Sequence, residues 1–191
     1  MTNYKKNMVI SAMIFVVVQA TIIGLLINRG DYGFVHNITA AACVWAVLTI
    51  IEIRYRLYLN NFIRLLVIGV IISDSFLGYY LNLYVTSFSY DRLQHVLGTY
   101  AFALFAYAVI IRKKDYHIPQ LLAIILTIAL GVSLGTVFEI IEFLADIALN
   151  PVVPNQSSLT DTNLDLLSDV AGAAIAGAHV GFGFLKDKLA R

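Results

Sequence analysis

Three carboxylates lie on a strongly apolar stretch between residues 135 and 146, whose sequence is GTVFEIIEFLAD. Glu139, Glu142 and Asp146 are spaced i, i+3 and i+7, so an α-helix places them along one stripe. Ionisable side chains are costly to bury among apolar helices, and inside a membrane segment they indicate a functional site. This stretch therefore predicts a site that binds a cation or transfers protons.

Two further stretches carry acids at helical spacing. Asp161, Asp165 and Asp169 are spaced i, i+4 and i+8, and Asp91 and His95 are spaced i, i+4. Each set lies on one face of a helix. Asp91 and Asp161 also stand where helices are expected to begin, so capping of a helix N-terminus explains them as well as a functional role does. The sequence leaves both interpretations open.

The composition identifies the class of protein. The chain has 191 residues, of which 60% are hydrophobic and only 13% charged. A soluble domain averages about 25% charged residues. The chain is therefore predicted to be an all-α, polytopic membrane protein with about six transmembrane helices. Its net charge of +1 gives no reason to expect binding to nucleic acid, and its single Cys43 excludes an intrachain disulfide.

Hydropathy and turn residues place the six helices within one transmembrane domain that covers residues 1–191. The predicted spans are 8–28, 34–51, 62–84, 92–111, 119–149 and 164–185. A single long polar stretch, 150–163, joins the last two. The third span contains one acidic residue, Asp74, beside two serines.

Basic residues predict the orientation of these helices. When the loops are assigned alternately to the two sides, eleven Lys and Arg residues fall on one side and only Arg29 and Arg92 on the other. Cytoplasmic loops are enriched in Lys and Arg, so both termini are predicted to be cytoplasmic. The acids of the last three helices then lie together near the outer surface. Eight acids against two arginines in the outer half indicate a bound cation.

Carboxylates with one imidazole suit a hard divalent ion such as Mg²⁺, Mn²⁺ or Ca²⁺, and Zn²⁺ where few ligands bind. The predicted metal ligands are Glu139, Glu142, Asp161, Asp165 and Asp169. The predicted supporting residues are Asp74, Asp146 and Arg92. His95 is predicted to act as a general acid or base that Asp91 orients.

Three functions are compatible with such a site. The first is metal-dependent hydrolysis or group transfer on a lipid or lipid-linked envelope substrate. The second is cation- or proton-coupled transport, with Asp74 on the path, and the third is a non-catalytic accessory role in which the acids stabilise a polar helix junction. The apolar residues between Arg64 and Asp74 offer no polar route inward, which favours the enzyme slightly. The chain contains neither the HExxH motif nor the P-loop of common hydrolases.

The motifs of the last three helices resemble those of the YjdF-like family of bacterial inner-membrane proteins. They are YDRxxHxxG from Tyr90, ExxE from Glu139, and DTNxD from Asp161 with Gly172 seven residues further on. They are more distantly similar to VanZ-like proteins, which carry D-[KR]-x-x-H, E-x-x-Q and D-x-x-x-N-x-x-G. Here Glu142 and Asp169 stand in place of Gln and Asn, so the site is more acidic. The resemblance implies a multi-pass protein of the bacterial inner membrane with a role in the cell envelope.

The orientation can be tested by cysteine labelling. In a Cys43→Ser background, Ser157→Cys is expected to react with a membrane-impermeant thiol reagent in intact cells, because residue 157 lies in the outer loop. Lys113→Cys is the matched control on the cytoplasmic side and is expected to stay unlabelled. The reverse pattern would contradict the predicted orientation and the outward-facing site together.

Overall fold

The structure is a computed structural model that describes residues 3–57, 59–112, 118–151 and 153–189. Within these ranges it contains seven α-helices, one π-helical segment and no strand. The helices are α1 (Asn3–Arg29), α2 (Tyr32–Tyr55), α3 (Asn61–Ser73), α4 (Leu83–Thr86), α5 (Tyr90–Arg112), α6 (Gln120–Leu149) and α7 (Leu159–Leu189). The π-helical segment, Asp74–Tyr80, continues α3.

Six helical stretches of the described chain are long and apolar enough to cross a membrane. They correspond to α1, α2, α3 with its π-helical continuation, α5, α6 and α7. The predicted fold class, an all-α polytopic membrane protein with about six transmembrane helices, is confirmed. Lys113, the cytoplasmic position in the labelling experiment, lies outside the described residues.

Several helix boundaries differ from those predicted, among them the start of α1 at Asn3 instead of residue 8 and the end of α2 at Tyr55 instead of residue 51. The third span ends at Tyr80 instead of residue 84, and Tyr84 lies on the separate helix α4. The last helix begins at Leu159 instead of residue 164, because Ser158 caps it. The Ser158 hydroxyl accepts a hydrogen bond from the Asp161 amide at 3.1 Å. A serine followed three residues later by an acid is a recognised capping signal in sequences.

The chain was expected to be a single domain, and its contacts group it into two compact units, Met1–Asp91 and Arg92–Arg191. In the first unit a buried ion pair ties the start of α3 to the end of α2. Arg64 pairs with Glu52, and each side chain is only 2% exposed. The Tyr4 hydroxyl donates to Glu52 and accepts from Arg64 at 2.9 Å. Burial and the neighbouring Glu52 raise the pKa of Tyr4 to about 12, so this phenol keeps its proton.

Hydroxyl groups satisfy the backbone where α3 becomes π-helical in the first unit. Ser75 donates to the carbonyl of Ile71 at 2.9 Å, and Tyr90 donates to the carbonyl of Ser73 at 2.8 Å. Between them, Asp74 accepts a hydrogen bond from the Tyr84 hydroxyl at 2.6 Å. Asp74, predicted as a supporting residue or relay, therefore has a hydrogen-bond partner inside the first unit. Single π-helical turns occur frequently at functional sites.

In the second unit, α6 and α7 pack against each other in antiparallel orientation. Gly131 lies opposite Ala173, and Gly135 lies opposite Asp169, so residue numbers rise along one helix as they fall along the other. Small residues at such positions let helix backbones approach closely, as is common between membrane helices. This register brings Asp169 beside the turn of α6 that carries Glu139.

The close approach of α6 and α7 predicts that alanine in place of Gly131 destabilises the protein more than alanine in place of a glycine outside this interface. A Cβ atom at Gly131 would lie 2.6 Å from the Ala173 Cβ and 3.1 Å from its Cα, so the helices must separate. Gly131→Ala is expected to lower the free energy of unfolding by about 1–3 kcal/mol, as overpacking does. The matched control is Gly24→Ala, where the added methyl meets nothing within 4 Å in the described chain. Thermal unfolding in detergent measures both, and equal stability of the two variants would contradict this packing.

Candidate functional site

A histidine and two carboxylates meet in the second unit, one from each of α5, α6 and α7. His95 Nδ1 lies 3.2 Å from Asp169 Oδ1 and 3.6 Å from Glu139 Oε1. The three side chains are between 3% and 5% exposed. The predicted orientation of the helices placed the acids of these three helices at the same level as His95. The structure brings these three together, with Asp169 the nearest partner of the imidazole.

The position of Asp169 depends on a hydrogen bond from α5 and on the missing side chain of Gly135 in α6. The Thr99 hydroxyl, one turn after His95, donates to Asp169 Oδ1. A Cβ atom at Gly135 would collide with the Asp169 carboxylate, so glycine is required for it to fit. Asp169 Oδ2 is buried without a hydrogen-bond partner in the described chain. One oxygen of Asp169 is thus bound from α5, and the other lies against Gly135 of α6.

His95, Glu139 and Glu142 have the geometry of a metal-binding group. Each offers one ligand atom, and the three atoms lie within 4.8 Å of one another. Ligand atoms about 2.0–2.3 Å from a common ion lie within about 4.6 Å of one another, so small movements would let all three bind one ion. His95 and Glu139 are buried, whereas Glu142 is partly exposed and marks the accessible side of the group.

The loop between α6 and α7 folds back onto this group. Asp146 accepts hydrogen bonds from the Asn155 amide at 2.9 Å, the Asn155 side chain at 2.7 Å and the Gln156 amide at 2.9 Å. Gln156 Nε2 then donates to the Glu139 carbonyl at 2.8 Å and to Glu139 Oε2 at 2.9 Å. Asp146, predicted as a supporting residue, fixes the loop that reaches Glu139.

Arg92 lies beside two acids at the start of α7. It forms an ion pair with Asp161, and its Nε lies 3.7 Å from Asp165 Oδ1. Asp161 also accepts from the Ser157 hydroxyl at 2.8 Å and from the Ser157 amide at 3.1 Å. Asp161, predicted as a metal ligand, thus has both oxygens engaged by protein groups. The N-cap of α7 is Ser158 and not Asp161, but an acid in the first turn still complements the helix dipole.

The predicted site residues therefore fall into three groups. The central cluster consists of His95, Glu139, Glu142 and Asp169. Of the other acids of the second unit, Asp146 binds the loop, and Arg92 lies beside Asp161 and Asp165. The first unit contains Asp74 and Asp91, the latter in the first turn of α5. Sequence reasoning missed two contributors, Thr99 and Gln156. Thr99 shares the face of His95 at i+4 and could have been found from that spacing. The position of Gln156 follows from a tertiary fold of the loop, for which the sequence carries no signal.

Comparisons with known proteins agree with this architecture. A family model described as "Predicted membrane protein (DUF2238)" matches residues 10–187. The chain is also similar to an "Uncharacterized protein" from Thermotoga maritima, with 31% identity over 109 residues. That match covers 57% of this chain and 56% of the relative, so the chain spans about half the length of the curated relative. No solved structure matches the chain.

The pairing of Arg92 with Asp161 predicts a coupling energy between them. Arg92→Ala leaves a buried carboxylate without its cation and is expected to destabilise the protein by about 1.5–3 kcal/mol, as for hydrogen bonds to charged groups. Asp161→Asn in the same background is expected to recover part of that loss. A double-mutant cycle on unfolding free energies measures the coupling. Strictly additive losses would contradict a direct interaction.

Proposed function

The chain belongs to this family of predicted membrane proteins, and we propose that it binds a divalent cation at His95, Glu139 and Glu142. The observation that carries the proposal is the convergence of these three ligand atoms within 4.8 Å, with Glu139 and His95 buried. Three ligands from two different helices, gathered at one point among apolar spans, fit a cation better than they fit helix capping. Glu139 and Glu142 lie toward the C-terminal end of α6, where the helix dipole disfavours anions.

The charge balance of the second unit supports a cation. Around His95 lie the carboxylates of Glu139, Glu142 and Asp169, while Arg92 is engaged with Asp161. Like charges confined to a poorly hydrated site repel each other strongly, because the local dielectric constant is low. A divalent cation would offset that repulsion. Mg²⁺, Mn²⁺, Ca²⁺ and Zn²⁺ are all compatible with carboxylate and imidazole ligands.

In this proposal His95 and Asp169 act as a pair. Histidine ligands commonly present one ring nitrogen to the metal while a carboxylate holds the other. Asp169 Oδ1 lies 3.2 Å and Glu139 Oε1 3.6 Å from Nδ1, so Nε2 would bind an ion shared with Glu139 only after the imidazole or the Glu139 side chain moves. Asp169 would then orient the imidazole, and Thr99 would orient Asp169. This assigns to Asp169 the orienting role that the sequence suggested for Asp91, and makes His95 a ligand rather than the general acid or base.

We further propose that the site carries out hydrolysis or group transfer on a lipid or lipid-linked envelope substrate. A divalent ion supplies a water of lowered pKa and polarises the bond that is broken. The chain's own residues hold the ion, orient His95 and position Glu139. The family match is compatible with the YjdF-like resemblance of the motifs, and hence with the bacterial inner membrane. The VanZ-like resemblance stays a prediction.

One observation favours coupled transport as the second candidate. Gln19, on the buried face of α1, is 3% exposed, and neither of its side-chain polar atoms has a hydrogen-bond partner in the described chain. Gln19 of α1 thus adds a buried polar group to the first unit, which also contains Asp74 and Ser75 of the third span. Cation flux into proteoliposomes that is lost in Gln19→Leu, without lipid turnover, would favour transport over the enzyme.

The cation site predicts metal-dependent stability. Mn²⁺ or Mg²⁺ is expected to raise the melting temperature of the detergent-solubilised protein after chelation, because an ion that binds only the native state stabilises it by mass action. Glu139→Gln and Glu142→Gln each remove a ligand charge and are expected to abolish most of the increase. His95→Ala is expected to reduce it as well, since His95 is a ligand in this proposal.

Ser87→Ala in the first unit is the matched control and is expected to keep the full increase. If divalent ions still raise the melting temperature of His95→Ala, His95 is not a ligand, and its predicted role as general acid or base is favoured. A wild-type melting temperature that does not respond to any divalent ion would favour the accessory function instead.

A further inference from the structure

The side chain of Gln156 points into the proposed cation site from a loop that is fixed independently of it. Both backbone amides at positions 155 and 156 donate to Asp146, and the Asn155 side chain donates to the same carboxylate. Ser157, the next residue, is bound by Asp161. The backbone on both sides of Gln156 is therefore anchored, while the Gln156 side chain keeps its own torsional freedom.

The amide of Gln156 binds Oε2 of Glu139, while Oε1 is the oxygen that lies 3.6 Å from His95 Nδ1. Gln156 Nε2 donates at 2.9 Å to Glu139 Oε2 and at 2.8 Å to the Glu139 carbonyl. A donor aimed at a ligand carboxylate stabilises that carboxylate in the absence of positive charge. A divalent ion that bound Oε2, alone or together with Oε1, would meet the partial positive charge of this amide. Cation and amide would thus compete for Glu139.

We propose that Gln156 is a displaceable occupant of the cation site, which satisfies Glu139 when no ion is bound and turns away when one binds. This inference rests on the proposed function and adds to it a mechanism that sets cation affinity. Asp146 is the positioning residue of the device, because it holds the backbone from which Gln156 reaches Glu139. The anchored backbone confines the change to one side chain.

Removal of the Gln156 amide is expected to change the cation affinity in one direction. Without the Gln156 amide, the hydrogen bond between Gln156 and Glu139 does not have to break when the ion binds, so the ion binds more tightly. The expected gain is about tenfold in Kd, a size consistent with loss of one hydrogen bond to a charged acceptor. If Gln156 instead supplied its carbonyl oxygen as a ligand, the same substitution would weaken binding. A purely structural residue would change stability and leave affinity where it is.

Isothermal titration of Mn²⁺ into the full-length protein in detergent tests this inference. Gln156→Met keeps the length of the side chain and removes the amide, and Gln156→Ala is a second variant should the first not fold. Ser157→Ala is the matched control, because it loosens the same loop at Asp161 and leaves the Gln156 contact with Glu139 unchanged. The expected result is tighter binding in both Gln156 variants and wild-type affinity in Ser157→Ala.

The outcomes separate the two proposals. Unchanged or weaker Mn²⁺ binding in the Gln156 variants, with clear binding in the wild type, overturns the competition and leaves the cation site standing. Tighter binding in Ser157→Ala as well would assign the effect to loop loosening and also overturns it. Wild-type protein that binds no Mn²⁺ overturns the cation site and, with it, this inference.

Discussion

Carboxylates buried among apolar helices must each be compensated, and this constraint explains most of the second unit. Asp169 is met by His95 and Thr99 from α5. Glu139 is met by Gln156 from the loop. Leaving such a group without a partner costs more than an ordinary hydrogen bond contributes, because the surroundings solvate charge poorly. The polar groups that line the cluster therefore follow from the acids themselves.

Close helix packing makes that compensation geometrically feasible. Gly135 leaves the space that the Asp169 carboxylate occupies, and a Cβ atom at Gly172 would collide with the Val96 carbonyl. Glycine at these two positions, as at Gly131, lets the three helices approach closely. The glycines therefore determine how near His95 comes to the acids of the other two helices, and the cation proposal depends on that distance.

Hydropathy, charge and helical spacing were enough to predict the six spans and the acids that gather around His95, because both depend on patterns local in sequence. The early start of α7 could also have been predicted, from the spacing of Ser158 and Asp161. The contacts of Gln156 and the pairing of Arg92 with Asp161 could not be predicted, because each joins segments that come together only in the folded chain. Roles that depend on such contacts, including the orientation of His95, could not be read from the sequence.

The most direct test of the account asks whether an imidazole nitrogen binds the ion. Pulsed electron paramagnetic resonance of Mn²⁺ bound to the full-length protein detects nitrogen nuclei coordinated to the metal. Modulation from one histidine nitrogen is expected in the wild type, and its loss is expected in His95→Gln with Mn²⁺ still bound at high concentration. A wild-type spectrum with oxygen ligands alone, identical to that of His95→Gln, would contradict the proposed centre.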